Sequence, residues 1–277
     1  MIIPKANKLD LSQLQEIESI VGEFDCTILE IQGHNQCVYA ILGDETHALM
    51  FKRIAGLSFV RKVDAIESPY KLMDRRSALS EHQVQLGISK LGMDSPFIIG
   101  GPCTIDPQNP SLFIETAHAL KEVGVNALRG GVWKPRTNPY SYQGDNQAIE
   151  IILQAREETG LPIDLEVMDS DQLKIALDAK VDILQVGTRN ALNYSLRKEI
   201  GKLSAGSGSG VLLKRGRHVA SPDEFIAAAE YIVAAGNPNL MLCPRGTTPP
   251  LDGYRNHPDE SITPLLKNRT WAPVVVD

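Results

Sequence analysis

The chain has 277 residues, 43% of them apolar and 22% charged, with a formal net charge of −6. That length and composition fit a globular protein with a real core, built as one large domain or two unequal ones. The acidic balance argues against a general nucleic-acid or membrane-surface binder, no apolar run approaches the ~18 residues that span a bilayer, and Met1-Ile2-Ile3-Pro4-Lys5 turns polar too soon for a signal peptide, so a cytoplasmic protein is expected.

Residues 1–85 read as a small α+β unit. A first strand is predicted at Ile2–Ala6. Asp10–Phe24 has helical spacing, with Leu11, Leu14, Ile17, Ile20 and Val21 on one face and Asp10 as its cap. Two β-rich runs follow, Cys26–Gln32 and Cys37–Leu42, separated by the turn-like Gly33-His34-Asn35. A second helix near Thr46–Ala55 leads to a β-rich run at Phe59–Ile66. This order is that of a ferredoxin-like sandwich. Glu67–Ser95 is polar and reads as a linker with a helical part, with Lys71 to Arg76 as its hinge.

From Pro96 the rhythm becomes that of parallel βαβ units. Seven apolar runs recur: Phe97–Gly101, Ala127–Trp133, Ile163–Met168, Ile183–Gly187, Val211–Lys214, Leu240–Cys243 and Pro273–Val276. Helices are predicted between them near Ser111–Val123, Asn146–Glu158, Asp171–Ala179, Leu192–Leu203, Asp223–Ala235 and Ser261–Asn268. The fold class is α/β, a (β/α)8-type barrel over residues 86–277 with only seven strands readable and the eighth missing. The Ser204–Gly210 stretch reads as a flexible loop at the catalytically silent end. The four cysteines, Cys26, Cys37, Cys103 and Cys243, form no C-x-x-C pair and are expected as thiols.

Chemistry in such a fold belongs at the C-terminal ends of the strands. Arg129, Lys134, Arg189, Lys214 and Arg245 recur there, with Arg136 and Arg215 beside them. A single arginine after a strand is usually a solvated charge. Repetition at successive strand ends instead predicts an anion site, since the guanidinium fork grips phosphate or carboxylate with paired hydrogen bonds. So many cations suit two phosphorylated ligands, or a phosphate plus a carboxylate. His218 lies near the same rim and reads as a solvated loop residue.

Several segments, in this order, carry a resemblance: Gly101-Pro102-Cys103-Thr104, Leu128 through Gly144 with Lys134-Pro135-Arg136-Thr137 at its centre, Gln185-Val186-Gly187-Thr188-Arg189-Asn190, Leu213-Lys214-Arg215-Gly216 and Cys243-Pro244-Arg245-Gly246. They resemble the type Iβ 3-deoxy-7-phosphoheptulonate (DAHP) synthases. The Lys-Pro-Arg-Thr segment separates that group from the 3-deoxy-manno-octulosonate-8-phosphate synthases. The front unit, closed by Pro69-Tyr70-Lys71-Leu72, resembles the family's ferredoxin-like regulatory extension. The resemblance implies condensation of phosphoenolpyruvate with erythrose 4-phosphate, the first step of the shikimate pathway to aromatic amino acids. It implies that Arg129 and Lys134 hold the carboxylate and reacting end of phosphoenolpyruvate. Arg189, Lys214 and Arg245 would bind its phosphate, Arg136 and Thr137 the phosphate of the aldose, and Thr188 would be a further substrate-binding residue. Cys103 would ligate a divalent metal of the Mn, Fe, Zn or Co class. A tyrosine or phenylalanine effector and a homo-oligomer, dimer or tetramer, are further implications.

The sequence departs from the family pattern in places. Pro244 replaces an acidic residue, Leu192 a glutamine and Thr104 a serine. The family continues past the seventh run with a histidine, a glutamate and an aspartate that ligate the metal. Here the sequence reads Val274-Val275-Val276-Asp277, so a truncated barrel with an incomplete metal site is expected. The alternative reading is a non-catalytic relative that binds phosphosugars or effectors.

Overall fold

The computed structural model describes residues 1–32, 36–44, 47–64, 68–77, 79–86, 89–91, 96–219, 221–246, 259 and 261–277. The chain opens with β1 (Ile2–Pro4), α1 (Leu11–Gly22), β2 (Thr27–Gln32), β3 (Cys37–Leu42), α2 (Ala48–Ala55) and β4 (Val60–Val63). The four strands pair antiparallel in the order β2-β3-β1-β4. Asp10 caps α1 as its sequence predicts. Its carboxylate accepts from the Gln13 N–H, and the Gln13 side chain accepts in return from the Asp10 N–H, which satisfies two otherwise orphaned donors. Alternation along β3 serves two layers. Cys37, Tyr39 and Ile41 pack with Ile17, Val21 and Ile54. Val38 and Ala40 join the large core cluster that includes Tyr70, Leu72 and Phe225.

A short hairpin, β5 (Gln85–Leu86) and β6 (Ser89–Lys90), precedes the main sheet. That sheet has six parallel strands in consecutive order: β7 (Ile99–Gly100), β8 (Ala127–Arg129), β9 (Ile163–Glu166), β10 (Ile183–Val186), β11 (Gly210–Lys214) and β12 (Leu240–Cys243). It is curled into a half-barrel. Its helices are α3 (Pro110–Glu122), α4 (Ala148–Thr159), α5 (Ser170–Asp178), α6 (Tyr194–Leu203), α7 (Pro222–Ala234) and α8 (Ile262–Arg269). The outward positions Leu128, Ile163, Leu165, Leu184, Val186, Val211 and Leu213 form the core with these helices. The inward positions Ala127, Ile183, Leu212, Met241 and Cys243 form a second cluster with Val84 and Leu86 beneath them. A Cβ on Gly210 would lie 2.4 Å from Leu86, so the hairpin side chain fits only because residue 210 has none.

Three sequence expectations need correction. The seventh run, Pro273–Val276, is not a strand of this sheet. It makes one parallel bridge, Val274 to Leu242, and β12 remains the sheet's edge. Pro273 has no N–H to give a ladder, which weakens a run already short. Secondly, the described residues of the linker hold no helix and no loose hinge at 71–76. The N–H groups of Lys71, Leu72 and Met73 all donate to the Glu230 carboxylate on α7, at 2.7, 3.1 and 3.2 Å. Trp271 Nε1 donates to the Leu72 carbonyl at 2.7 Å, and Tyr70 Oη donates to Asp223 at 2.8 Å. Thirdly, the Ser/Gly stretch before β11 is tied down at both ends. Ser204 and Ser209 are buried, Asn237 Nδ2 donates to Ser204 Oγ and the Ser209 carbonyl, and Ser209 Oγ donates to the Val181 carbonyl.

Candidate active site

The inner face of the half-barrel changes character along the strands. In register across neighbours, Arg129 lies beside Asp164, Glu166 beside Gln185, and Lys214 beside Cys243. Apolar side chains fill the N-terminal half of that face, and ionisable ones gather toward the C-terminal ends. There a cavity of about 400 Å³ opens. Every residue singled out from the sequence lines it: Cys103, Arg129, Lys134, Arg136, Thr137, Thr188, Arg189, Lys214 and Arg245. Arg215 does not. It lies just past the end of β11, and its fully buried guanidinium donates to Asp259 at 2.9 Å.

Each cation is delivered by a specific turn. Lys134 and Arg136 ride on the segment after β8, anchored by buried Val132 and Trp133. Trp133 Nε1 donates to Asn146 at 2.6 Å, and the Lys134 N–H to the Gln143 carbonyl at 2.8 Å. Arg136 Nε donates to the Tyr142 carbonyl, which curls the same segment over the cavity wall. Arg189 lies in a 3₁₀ turn, Thr188–Asn190, directly after β10. Arg245 has a φ of +31°, an uncommon backbone for a residue with a Cβ, and donates to Thr188 Oγ1 at 2.9 Å. Non-glycine residues in this region concentrate at functional sites. Among the described residues, Arg129 and Arg189 have no side-chain hydrogen bond or ion pair, so their donors point into the cavity unmatched.

Sequence reasoning missed the carboxyls. Glu166 and Asp277 line the cavity, and Asp164 lies one inward step below Glu166 on β9. Burial raises the Glu166 carboxyl against the pull of Lys214, Arg129 and Arg189, and Gln185 Nε2 donates to it at 3.2 Å. A Cβ on residue 187 would fall 1.9 Å from Glu166 Oε1, so Gly187 is the residue that lets this side chain stand there. Burial acts on Asp277 in the same sense. It is overcome by Lys214, whose Nζ lies 2.6 Å from Oδ2, with Arg245 and Arg129 adding to the pull, and the carboxyl ends below its ordinary range. Asp164 is pushed up to about 7 by burial, with Arg129 and Lys214 opposing. The signal that could have found the two on β9 is Asp164 and Glu166 alternating with apolar Ile163 and Leu165. Cys243, buried, is raised to about 11 by desolvation against the pull of Lys214, and it belongs to the inner core cluster. His218 is exposed and does not line the cavity.

Cys103 is exposed at the cavity wall and is a free thiol, as are buried Cys26, Cys37 and Cys243. Among the described residues there is no group of three or more His, Cys, Asp or Glu side chains able to hold a metal. Asp277, a carboxylate of the cavity wall, is engaged by Lys214. One thiol does not make a divalent site.

Residues 78–277 match the family model described as the DAHP synthetase I family. The chain belongs to that family. Relatives in sequence include the phospho-2-dehydro-3-deoxyheptonate aldolase of Thermotoga maritima, 36% identical over 89% of this chain and 70% of that protein. A 2-dehydro-3-deoxyphosphooctonate aldolase from a Bradyrhizobium species is 30% identical over 70% of this chain and 68% of its own. In structure, this member of the DAHP synthetase I family matches the Thermotoga maritima DAHP synthase with a TM-score of 0.70 and 31% identity. The match covers 100% of this chain and 78% of that one. A truncated form of the Thermotoga maritima 3-deoxy-D-arabino-heptulosonate 7-phosphate synthase matches over 74% of this chain, with a TM-score of 0.63 and 32% identity. Among the described residues, no helix of this family member is long and apolar enough to cross a membrane.

Proposed function

We propose that this chain condenses phosphoenolpyruvate with erythrose 4-phosphate to give DAHP and inorganic phosphate. The observation that carries this reading is the convergence of six cations, Arg129, Lys134, Arg136, Arg189, Lys214 and Arg245, on one cavity with two carboxyls in its wall. A phosphoryl group brings nearly two negative charges and a carboxylate one more, so two such substrates match this excess. Arg129 and Lys134 hold the carboxylate and reacting end of phosphoenolpyruvate. Thr188, Arg189, Lys214 and Arg245 take its phosphate, and Arg136 and Thr137 the phosphate of the aldose. The enol carbon attacks the aldehyde, water adds to the neighbouring carbon, and phosphate leaves by C–O cleavage. Fixed cations stabilise the charge that moves in these steps without reorganising. The family generally uses a divalent metal, whose Lewis acidity would polarise the aldehyde. Cys103 is the residue assigned to it. Among the described residues no group of three or more His, Cys, Asp or Glu side chains stands there to hold it.

The finer architecture belongs to the same proposal. Residues 1–85 act as a ferredoxin-like regulatory unit that binds an aromatic amino acid, tyrosine or phenylalanine, and residues 86–277 as the (β/α) barrel catalytic unit of a homo-oligomer working in the cytoplasm. The strand order β2-β3-β1-β4 supports the first assignment, as does the start of the family match at residue 78. The test is titration calorimetry with phosphoenolpyruvate followed by phosphate release on adding erythrose 4-phosphate, with a five-carbon phosphorylated aldose as control. Binding is expected, with Arg189→Ala weakening it by about 1.5–3 kcal/mol, roughly 10- to 150-fold in Kd. A folded sample that ignores phosphoenolpyruvate, or turns over only the five-carbon aldose, sinks the proposal.

A further inference from the structure

Asp164 is a buried carboxyl beside this cavity to which the reaction above gives no part. It is 1% exposed, and its Oδ1 has no hydrogen-bond partner among the described residues. Its surroundings are resolved strand by strand. Arg129 flanks it on β8, Ile183 on β10, and Glu166 is the next inward residue on its own strand. Ala127, Leu212 and Met241 make the apolar layer around its level. The charged groups that act on it are Arg129, Lys214, Glu166 and Asp277. An ionised carboxylate in such a place has no donor among the described residues on its Oδ1. It is held ionised only by the cations above it. Those same cations, Arg129 and Lys214, are the ones an incoming anion takes over.

We propose that Asp164 is a charge-compensating, positioning residue. Its carboxylate balances Arg129 and Lys214 while the cavity holds no anion, and it takes a proton from a buffer acid when phosphoenolpyruvate neutralises them. One O–H bond forms on Asp164 and one breaks in the buffer acid, and no other bond changes. The substrate-free cations are thus kept from repelling one another, and the loaded site is spared a buried charge without a partner. The push of burial that already brings this carboxyl to about 7 agrees with a proton lying within easy reach. The inference rests on the assignment of phosphoenolpyruvate to this cavity, and the experiment separates the two.

Phosphoenolpyruvate is titrated into the full chain at about pH 8 in two buffers of different ionisation enthalpy, which counts protons taken up on binding. The substrate itself can only release protons, because its phosphate ionises near about 6 and cations push that value lower. Uptake of roughly half a proton or more per molecule bound is expected, with affinity falling several-fold between about pH 7 and about pH 9. Asp164→Asn should bind phosphoenolpyruvate without uptake and with a flattened pH profile. Glu166→Gln, which alters the other carboxyl of the strand, should keep the uptake. Binding with no proton uptake in the native chain overturns the inference and leaves the substrate assignment standing. Uptake that survives Asp164→Asn, or disappears in Glu166→Gln, also overturns it. Failure to bind phosphoenolpyruvate at all removes both.

Discussion

Glu230 and Asp164 are both carboxyls drawn away from water, and the protein treats them in opposite ways. Glu230, half-buried on α7, accepts three backbone N–H bonds from consecutive residues of the segment that leaves the front sheet. Asp164, buried on β9, has one oxygen with no partner among the described residues. Burial raises both groups, but at Glu230 the N–H groups of Lys71, Met73 and Leu72 pull back, whereas at Asp164 the charges of Arg129 and Lys214 do so without a hydrogen bond. A saturated carboxylate of the first kind fastens chain to chain. An unsaturated one of the second kind is sensitive to whatever enters the neighbouring cavity. Burial therefore does not distinguish a structural acid from a functional one; the count of donors does.

The largest effect expected comes from removing a charge the two cavity carboxyls share. Lys214→Ala takes away the ammonium that contacts Asp277 and opposes the burial of Asp164 and Glu166. Turnover should fall by about 100-fold or more, as for loss of one preorganised donor at a developing charge. Steady-state assays of phosphate release decide this, and a variant within about threefold of the native rate would remove Lys214 from the site.

Next in size is the clamp. Glu230→Ala leaves three backbone N–H groups to find water, and a charged acceptor is worth about 1.5–3 kcal/mol per bond without full additivity. A loss of about 3 kcal/mol in chemical denaturation is expected. Glu230→Gln should lose less, because its carbonyl oxygen still accepts. If the alanine variant matches the native chain, then 71–73 is a hinge after all, and the comparison with Asp164 loses its structural half.

Much of this arrangement is legible in the sequence, for reasons that differ by region. The cations were readable because parallel βα units repeat, so that Arg129, Arg189, Lys214 and Arg245 each follow an apolar run. Asp10 was readable as a cap because capping is local. Asp164 and Glu166 were not, because a polar residue inside a short apolar run gives no sign of which side of the sheet it faces. Arg215 is next to Lys214 in sequence, but it lies past the end of β11 and pairs with Asp259 instead of lining the cavity. The clamp joins residues 157–159 positions apart, and nothing local in Tyr70–Met73 announces Glu230. Pro273 misled by composition: three valines after it look like a strand that its missing N–H does not let it fully join.

The smallest effect, and the one of opposite sign, concerns the stability of Asp164 itself. Its carboxyl is raised in the folded protein to about 7, against an ordinary value of 3.8. Such a group binds its proton more tightly folded than unfolded. Its contribution to stability is therefore complete below about pH 4 and is lost as pH rises through about 7. Asp164→Asn keeps the shape and never carries the charge, so it escapes that loss. It should be close to neutral near the acid end of this window and stabilising by about 1–3 kcal/mol above it, the range expected for relieving a buried polar group without a partner. Urea denaturation of both chains at about pH 5 and about pH 8, without substrate, reads the difference. An asparagine advantage that grows between the two conditions fits an unsatisfied buried acid. A flat difference would mean that Asp164 stays ionised and comfortable at both, and that its environment supplies a donor comparable to those which hold Glu230.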